Sequence, residues 1–195
     1  MTPSHSHRTL VLLIGALGLA LPASAQEISE VTLVGVAEDQ CILGAAALWT
    51  GAVENFVNPT GAVFVVAELT DPSTLTTRAA GLSLTLNAMC NSPHRLIVAS
   101  ENAGLWRTEV TGFATGFGNA VPYRMGLTWA DETRDLLATA NTRQAIEWEM
   151  LIGRPHTGDV ELDFSIDAGS TNAGQGAPLL SGAYSDVVTV TVESQ

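Results

Sequence analysis

The sequence contains no lysine, and its eight basic residues are all arginine. Against them stand 20 acidic residues, for a net charge of −12 at pH 7. A surface this negative repels phosphate backbones and anionic lipid headgroups, which argues against nucleic acid as a partner. Cysteine is scarce, with only Cys41 and Cys90 in 195 residues. Thiolate metal sites need more ligands at closer spacing, so the pair predicts no metal centre. Beyond the first 25 residues, histidine is limited to His94 and His156, each alone in sequence. There is no H-E-x-x-H, no G-x-S-x-G and no phosphate-binding P-loop. A second long apolar run is also missing, so no membrane span is expected beyond the leader.

The leader itself is present. His5, His7 and Arg8 make a short polar start, and Leu10 to Leu21 is an apolar run of twelve residues. That run is shorter than the ~20 residues a spanning helix needs. Ala23-Ser24-Ala25 comes next as an A-x-A cleavage site, so residues 1–25 read as a secretory signal peptide and Gln26 as the new N-terminus. Removal of the leader leaves 170 residues, seven arginines and all 20 acidic residues, a net charge of −13. This length suits one domain with a real core and is small for two. An even cysteine count in an exported chain predicts a Cys41–Cys90 disulfide, placed between two layers of the fold.

After the leader, short alternating runs are separated by Gly, Pro, Asn and Asp. Glu27–Ala37 is a valine-rich segment, and 61–69 is β-branched and aromatic. Leu82, Leu84, Leu86 and Ala88 share a phase that places Cys90 in the core. Leu96 and Val98 share another. Val121, Tyr123, Met125, Leu127 and Trp129 make a third stripe, and Ile146, Trp148 and Met150 a fourth. Val160, Leu162, Phe164 and Ile166 alternate with acidic and polar residues, and 184–192 reads as one closing strand. Many short half-apolar strands predict an all-β, antiparallel β-sandwich wet on its outer faces. Only Asp131–Thr142 and Gln40–Trp49 read as candidate helices.

Three features invite a chemical reading. His94 or His156 could enter a Ser–His–Asp constellation assembled in space, but no candidate serine sits on a nucleophile elbow, and the expectation is no catalytic site. Asp159, Glu161 and Asp163 share one strand face, but stand about 7 Å apart, whereas calcium needs converging oxygens. They read as the solvated face of an edge or outer strand, and no metal or cofactor is expected. Of Trp49, Trp106, Trp129 and Trp148, the loop-like Trp106 is the candidate for a sugar site, with the loops around 112–118. Gly169–Gly176 reads as a loop with no phosphate-binding helix after it.

The C-terminal run LLSGAYSDVVTVTV carries Gly182, Tyr184, Asp186, Val188, Thr189, Val190, Thr191 and Val192 in a G-x-Y-x-D-x-V-T-V-T-V pattern. This resembles the closing strand of the spore coat protein U-like domain family, which includes pilins of archaic chaperone–usher pili. Ala88-Met89-Cys90-Asn91, the subsequent LIVASENAGL and the mid-chain VPYRMGL around Tyr123 are similar to that family as well. The hydrophobic-Phe-Gly segment usual after the first cysteine is replaced here by Leu48-Trp49-Thr50-Gly51. The resemblance implies an immunoglobulin-like, pilin-type sandwich over 40–195, lacking one strand, with 26–39 as an extension that donates a strand to the next subunit. Val31, Leu33 and Gly35 are the preferred groove-facing residues, because the other register, Ile28, Val34 and Val36, also takes in Glu30. The same segment could instead be the first strand of a complete sandwich. The implied partners are a periplasmic chaperone, an outer-membrane usher and other subunits, in the periplasm and then at the cell surface, supporting adhesion or biofilm formation. The competing expectation is a secreted carbohydrate- or protein-binding module.

Overall fold

The computed structural model describes residues 34–47, 53–60, 63–109 and 114–195. The leader 1–25, Ile28, Glu30, Val31, Leu33 and Trp49 therefore lie outside the described residues. Val34, Gly35 and Val36 belong to a unit that ends at Val36. Their backbone has no regular structure, and the two valines are 85% and 89% exposed.

The unit Ala37–Gln195 holds the strands β1 (Cys41–Ala47), β2 (Phe56–Thr60), β3 (Val63–Val66), β4 (Ala80–Cys90), β5 (His94–Ser100), β6 (Leu105–Arg107), β7 (Ala120–Val121), β8 (Tyr123–Trp129), β9 (Glu132–Ala138), β10 (Ile146–Ile152), β11 (His156–Ile166), β12 (Tyr184–Ser185) and β13 (Val188–Ser194). The main sheet runs β1-β4-β11-β8-β9, a second β10-β5-β13, a small third β12-β6-β7, and β2 pairs with β3. Every named strand pair is antiparallel, and no helix occurs among the described residues.

The period-2 stripes place the core. Leu82, Leu84 and Leu86 of β4, Met125, Leu127 and Trp129 of β8, and Val160 and Leu162 of β11 point inward from the main sheet. They meet Leu96 and Val98 of β5 and Met150 and Ile152 of β10 in one buried cluster. Two antiparallel sheets thus share one core, as in a β-sandwich. Each such aliphatic side chain stabilises the fold by about 1.5–3 kcal/mol through removal from water. A smaller cluster around Ala80, Val121, Tyr123, Ala138, Ile166 and Leu179 closes one end.

Four expectations need correction. Within Gln40–Trp49, the stretch Cys41–Ala47 is not helical but the strand β1, paired with β4. Asp131–Thr142 is not helical either, because Glu132–Ala138 is β9, paired along its whole length with β8. The two-residue loop between them, Ala130-Asp131, has φ of 54° and 69°. Both residues left-handed is the type I′ geometry that matches strand twist, here without the usual Asn-Gly. Arg154 braces the loop by donating to the Ala130 carbonyl at 3.0 Å and to Asp131 at 2.9 Å. Third, 184–192 is not one strand. Tyr184–Ser185 pairs with β6, Val188–Ser194 pairs with β5, and Asp186-Val187 is the break between two sheets.

The fourth correction concerns the disulfide. Cys41 and Cys90 are bonded, and Cys90 is buried as its phase predicted. The bridge does not span two layers, however. It joins register partners on neighbouring strands of the same sheet, with Cα atoms 4.2 Å apart.

Candidate functional site

The C-terminal strand is where the fold is least finished. β13 pairs with β5 from Val188 opposite Ser100 to Ser194 opposite His94, and its other edge pairs with nothing among the described residues. β1 is likewise an edge strand, with β4 on one side only. Cα atoms of β1 and β13 come within 8 Å, yet no strand pairing joins them. The inward face of β13 shows the consequence. Val188, Val190 and Val192 pack on the core but remain half-buried, whereas Leu96 and Val98 of β5 are 0% exposed. Apolar side chains on an open edge still touch water, which is unfavourable in proportion to the area left uncovered.

Two of the other free edges are guarded by charge, whereas β1, CILGAAA, carries none. β9 presents Glu132, Arg134 and Asp135, and β10 presents Glu147 and Glu149. Charges at an edge discourage pairing with another chain. β13 reads Val-Thr-Val-Thr-Val before its first charge at Glu193. Unpaired N–H and C=O groups beside a valine stripe make a template for an added strand.

What fixes β13 in place is a carboxylate that the sequence marks only as part of a motif. At the break before β13, Asp186 accepts six hydrogen bonds. Its Oδ2 receives the Ser100 hydroxyl at 2.7 Å, the Tyr123 hydroxyl at 2.8 Å and the Gly104 N–H at 3.3 Å. Its Oδ1 receives the backbone and side-chain N–H groups of Asn102, at 3.1 and 3.2 Å, and the Val187 N–H at 2.8 Å. The carboxylate thus ties the start of β13 to the β5–β6 turn and to β8. The glycine of the motif has its own reason. Gly182 has φ of +142°, and a β-carbon there would lie 2.7 Å from Arg107 Nε, which itself donates to the Ser181 carbonyl at 2.7 Å. The Tyr184 hydroxyl donates to the Leu180 carbonyl at 2.7 Å.

The two tyrosines of the chain, Tyr123 and Tyr184, sit in this region, and both phenols are pushed up from their ordinary value. Burial is the main cause for each; at Tyr123 the Asp186 carboxylate adds to it, against an opposing hydrogen bond with Ser100. A phenol whose folded value is raised contributes stability that is intact below the unfolded value, near pH 10, and drains away above it. We therefore expect phenolate absorbance to rise in one cooperative step together with loss of the fold. A smooth titration near pH 10 with the circular dichroism unchanged would contradict this.

The remaining residues singled out by the sequence lie away from this edge or have structural partners. His94 is fully buried, and its Nε2 accepts the Trp129 indole N–H at 2.9 Å. Its proton is then on Nδ1, which donates to the Ser92 carbonyl at 3.0 Å. A ring with both nitrogens engaged has no lone pair free to take a substrate proton. His156 stands edge-on to Trp129, with ring centroids 4.7 Å apart. Trp129 is core, Trp148 packs on the core, and the Trp106 indole donates to the Asn102 carbonyl at 2.7 Å from the short strand β6. Asp159, Glu161 and Asp163 are exposed, but β11 lies between β4 and β8, so they line the outer face of a central strand and guard no edge. Asn87 donates to Asp159 and Ser83 to Asp163. No acidic, histidine or cysteine group suited to a metal ion occurs among the described residues. A shallow cleft of about 520 Å³ is lined by polar residues that include Glu54, Asn55, Glu68, Asp71 and Arg78.

No model of a known protein family matches the chain, and no curated protein matches it.

Proposed function

We propose that this protein is a structural subunit of a surface fibre of the chaperone–usher kind, assembled when a neighbouring copy adds a strand beside β13. The observation that carries the reading is the unguarded, half-buried valine edge of β13, on a strand whose sequence is similar to the closing strand of the spore coat protein U-like family. In this reading the domain is a pilin-type, immunoglobulin-like sandwich with one strand missing. The extension 26–39 of the next subunit fills the gap, with Val31, Leu33 and Gly35 facing the groove. Backbone hydrogen bonds to the added strand supply affinity, and its alternate side chains supply register. Until then a periplasmic chaperone shields the edge, and an outer-membrane usher exports the growing fibre, which serves adhesion or biofilm formation.

The test is a chain lacking residues 26–38, co-expressed with its chaperone. It is expected to fold, to stay bound to the chaperone and to form no fibre of its own. Normal fibres from that variant would overturn the donor-strand account. A second reading, a carbohydrate- or protein-binding module, draws on the polar cleft around Asn55 and Arg78. Glycan binding by the isolated monomer, lost on substitution of Arg78, would favour it.

A further inference from the structure

The residues just before Cys41 have no strand partner, are exposed, and bury no apolar side chain, yet they are held. Asn91 holds them. Its Oδ1 accepts the Gln40 N–H at 2.7 Å, its Nδ2 donates to the Glu38 carbonyl at 2.9 Å, and its own N–H donates to the Gln40 carbonyl at 3.1 Å. Asn91 is the residue directly after Cys90, the disulfide partner of Cys41. Two adjacent residues at the end of β4 therefore grip residues 38–41 of the chain, one covalently and one through an amide used in both directions. Exposed hydrogen bonds add little net stability, and ordering each backbone residue costs about 1–2 kcal/mol of entropy. The clamp is thus poorly explained as support for the core. What it does fix is the point from which the chain before Ala37 leaves the domain.

The geometry points to Asn91 as a positioning residue for strand donation: it sets the launching point of the N-terminal extension that a second copy of this chain receives. This rests on the fibre-subunit reading for its purpose. An extension that departs from a fixed point has fewer arrangements to search before it docks, so part of the ordering cost of association is met beforehand.

The test compares the full mature chain with Asn91→Ala and Asn91→Asp. Hydrogen exchange at Gln40 is expected to quicken about fivefold in Asn91→Ala, the ratio one hydrogen bond of ordinary net strength supports. The melting temperature should stay at the wild-type value, and fibre growth should slow several-fold. Asn91→Asp keeps the acceptor for Gln40 but not the donor for Glu38. It should retain Gln40 protection while relaxation measurements show residues 37–39 loosened. Equal exchange in wild type and Asn91→Ala overturns the inference. So does a large fall in melting temperature, which would make the clamp structural, or unchanged fibre growth despite a loosened segment. Absence of fibres from the wild-type chain would strike the subunit reading instead, while the exchange comparison would still decide whether the clamp exists.

Discussion

Replacing Asp186 with alanine is expected to destabilise the protein by about 3–5 kcal/mol, because one change strips six donors of their shared acceptor. Hydrogen bonds to a charged group are stronger than neutral ones, and donors left without a partner away from water carry their full desolvation cost. For a domain of this length, that loss corresponds to a fall of about 10 °C or more in melting temperature. Asparagine at 186 is an informative intermediate. Its carbonyl can still serve Asn102 and Val187, but its NH2 group would face the Gly104 N–H and the Ser100 and Tyr123 hydroxyls. The hydroxyls can turn to accept; the backbone N–H cannot. Asp186→Asn should therefore lie between wild type and alanine, and Tyr123→Phe should cost only about 1 kcal/mol. A denaturation midpoint for Asp186→Ala within about 1 kcal/mol of wild type, by the ordinary extrapolation, would show that the hub does not hold β13.

The second large effect belongs to the disulfide. Cys41 and Cys90 close a loop with a sequence separation of 49. In the chain-entropy account, opening such a loop costs about 4 kcal/mol of stability. The double alanine variant is expected to show that loss in chemical denaturation. Its distribution should be uneven. β1 has one hydrogen-bonded neighbour, and its register with β4 shifts between Leu43 and Ala46, so it is the strand least able to stay without the bridge. Amide exchange should accelerate along Cys41–Leu43 before it does along β11, which is paired on both sides. A variant with wild-type stability and a protected β1 would contradict both parts.

Period-2 alternation was enough to place β4, β5, β8, β10 and β11 and their inward faces, because each of these strands is wet on one side and dry on the other. It failed where that contrast fades. In β9 the first four residues are all exposed, and only Leu136 and Ala138 are buried, so the pattern was too short to outweigh a run of helix-compatible residues. The Ala-Asp turn before it lacks the glycine that would have marked a hairpin. Along 184–192 the alternation continues through a break between sheets, and what makes the break is a set of partners up to 86 residues away in sequence. The candidate site was legible in outline: Tyr123, Cys90, Asn91, Gly182 and Asp186 all stand in stretches with a readable pattern. Their joining was not legible, because Tyr123 with Asp186, and Asn91 with Glu38, are pairings that only the folded chain brings together. The same is true of His94, a lone histidine in sequence whose partner Trp129 lies 35 residues on.

The bridge between β1 and β4 has a mechanical consequence. Tension applied through the N-terminal segment enters the domain at Cys41 and crosses at once to Cys90, leaving unstretched the loop that the two cysteines close, 49 residues in sequence separation. At about 3.4 Å per extended residue, roughly 160 Å of contour length is withheld from any pull. The β2–β3 hairpin and β4 lie inside that loop and are thus shielded from load, which passes on to the chain after Cys90 and so to β5. A tethered chain stretched with its cystine intact would lengthen only by the residues beyond Cys90, and reduction would release the remainder as a distinct second increment.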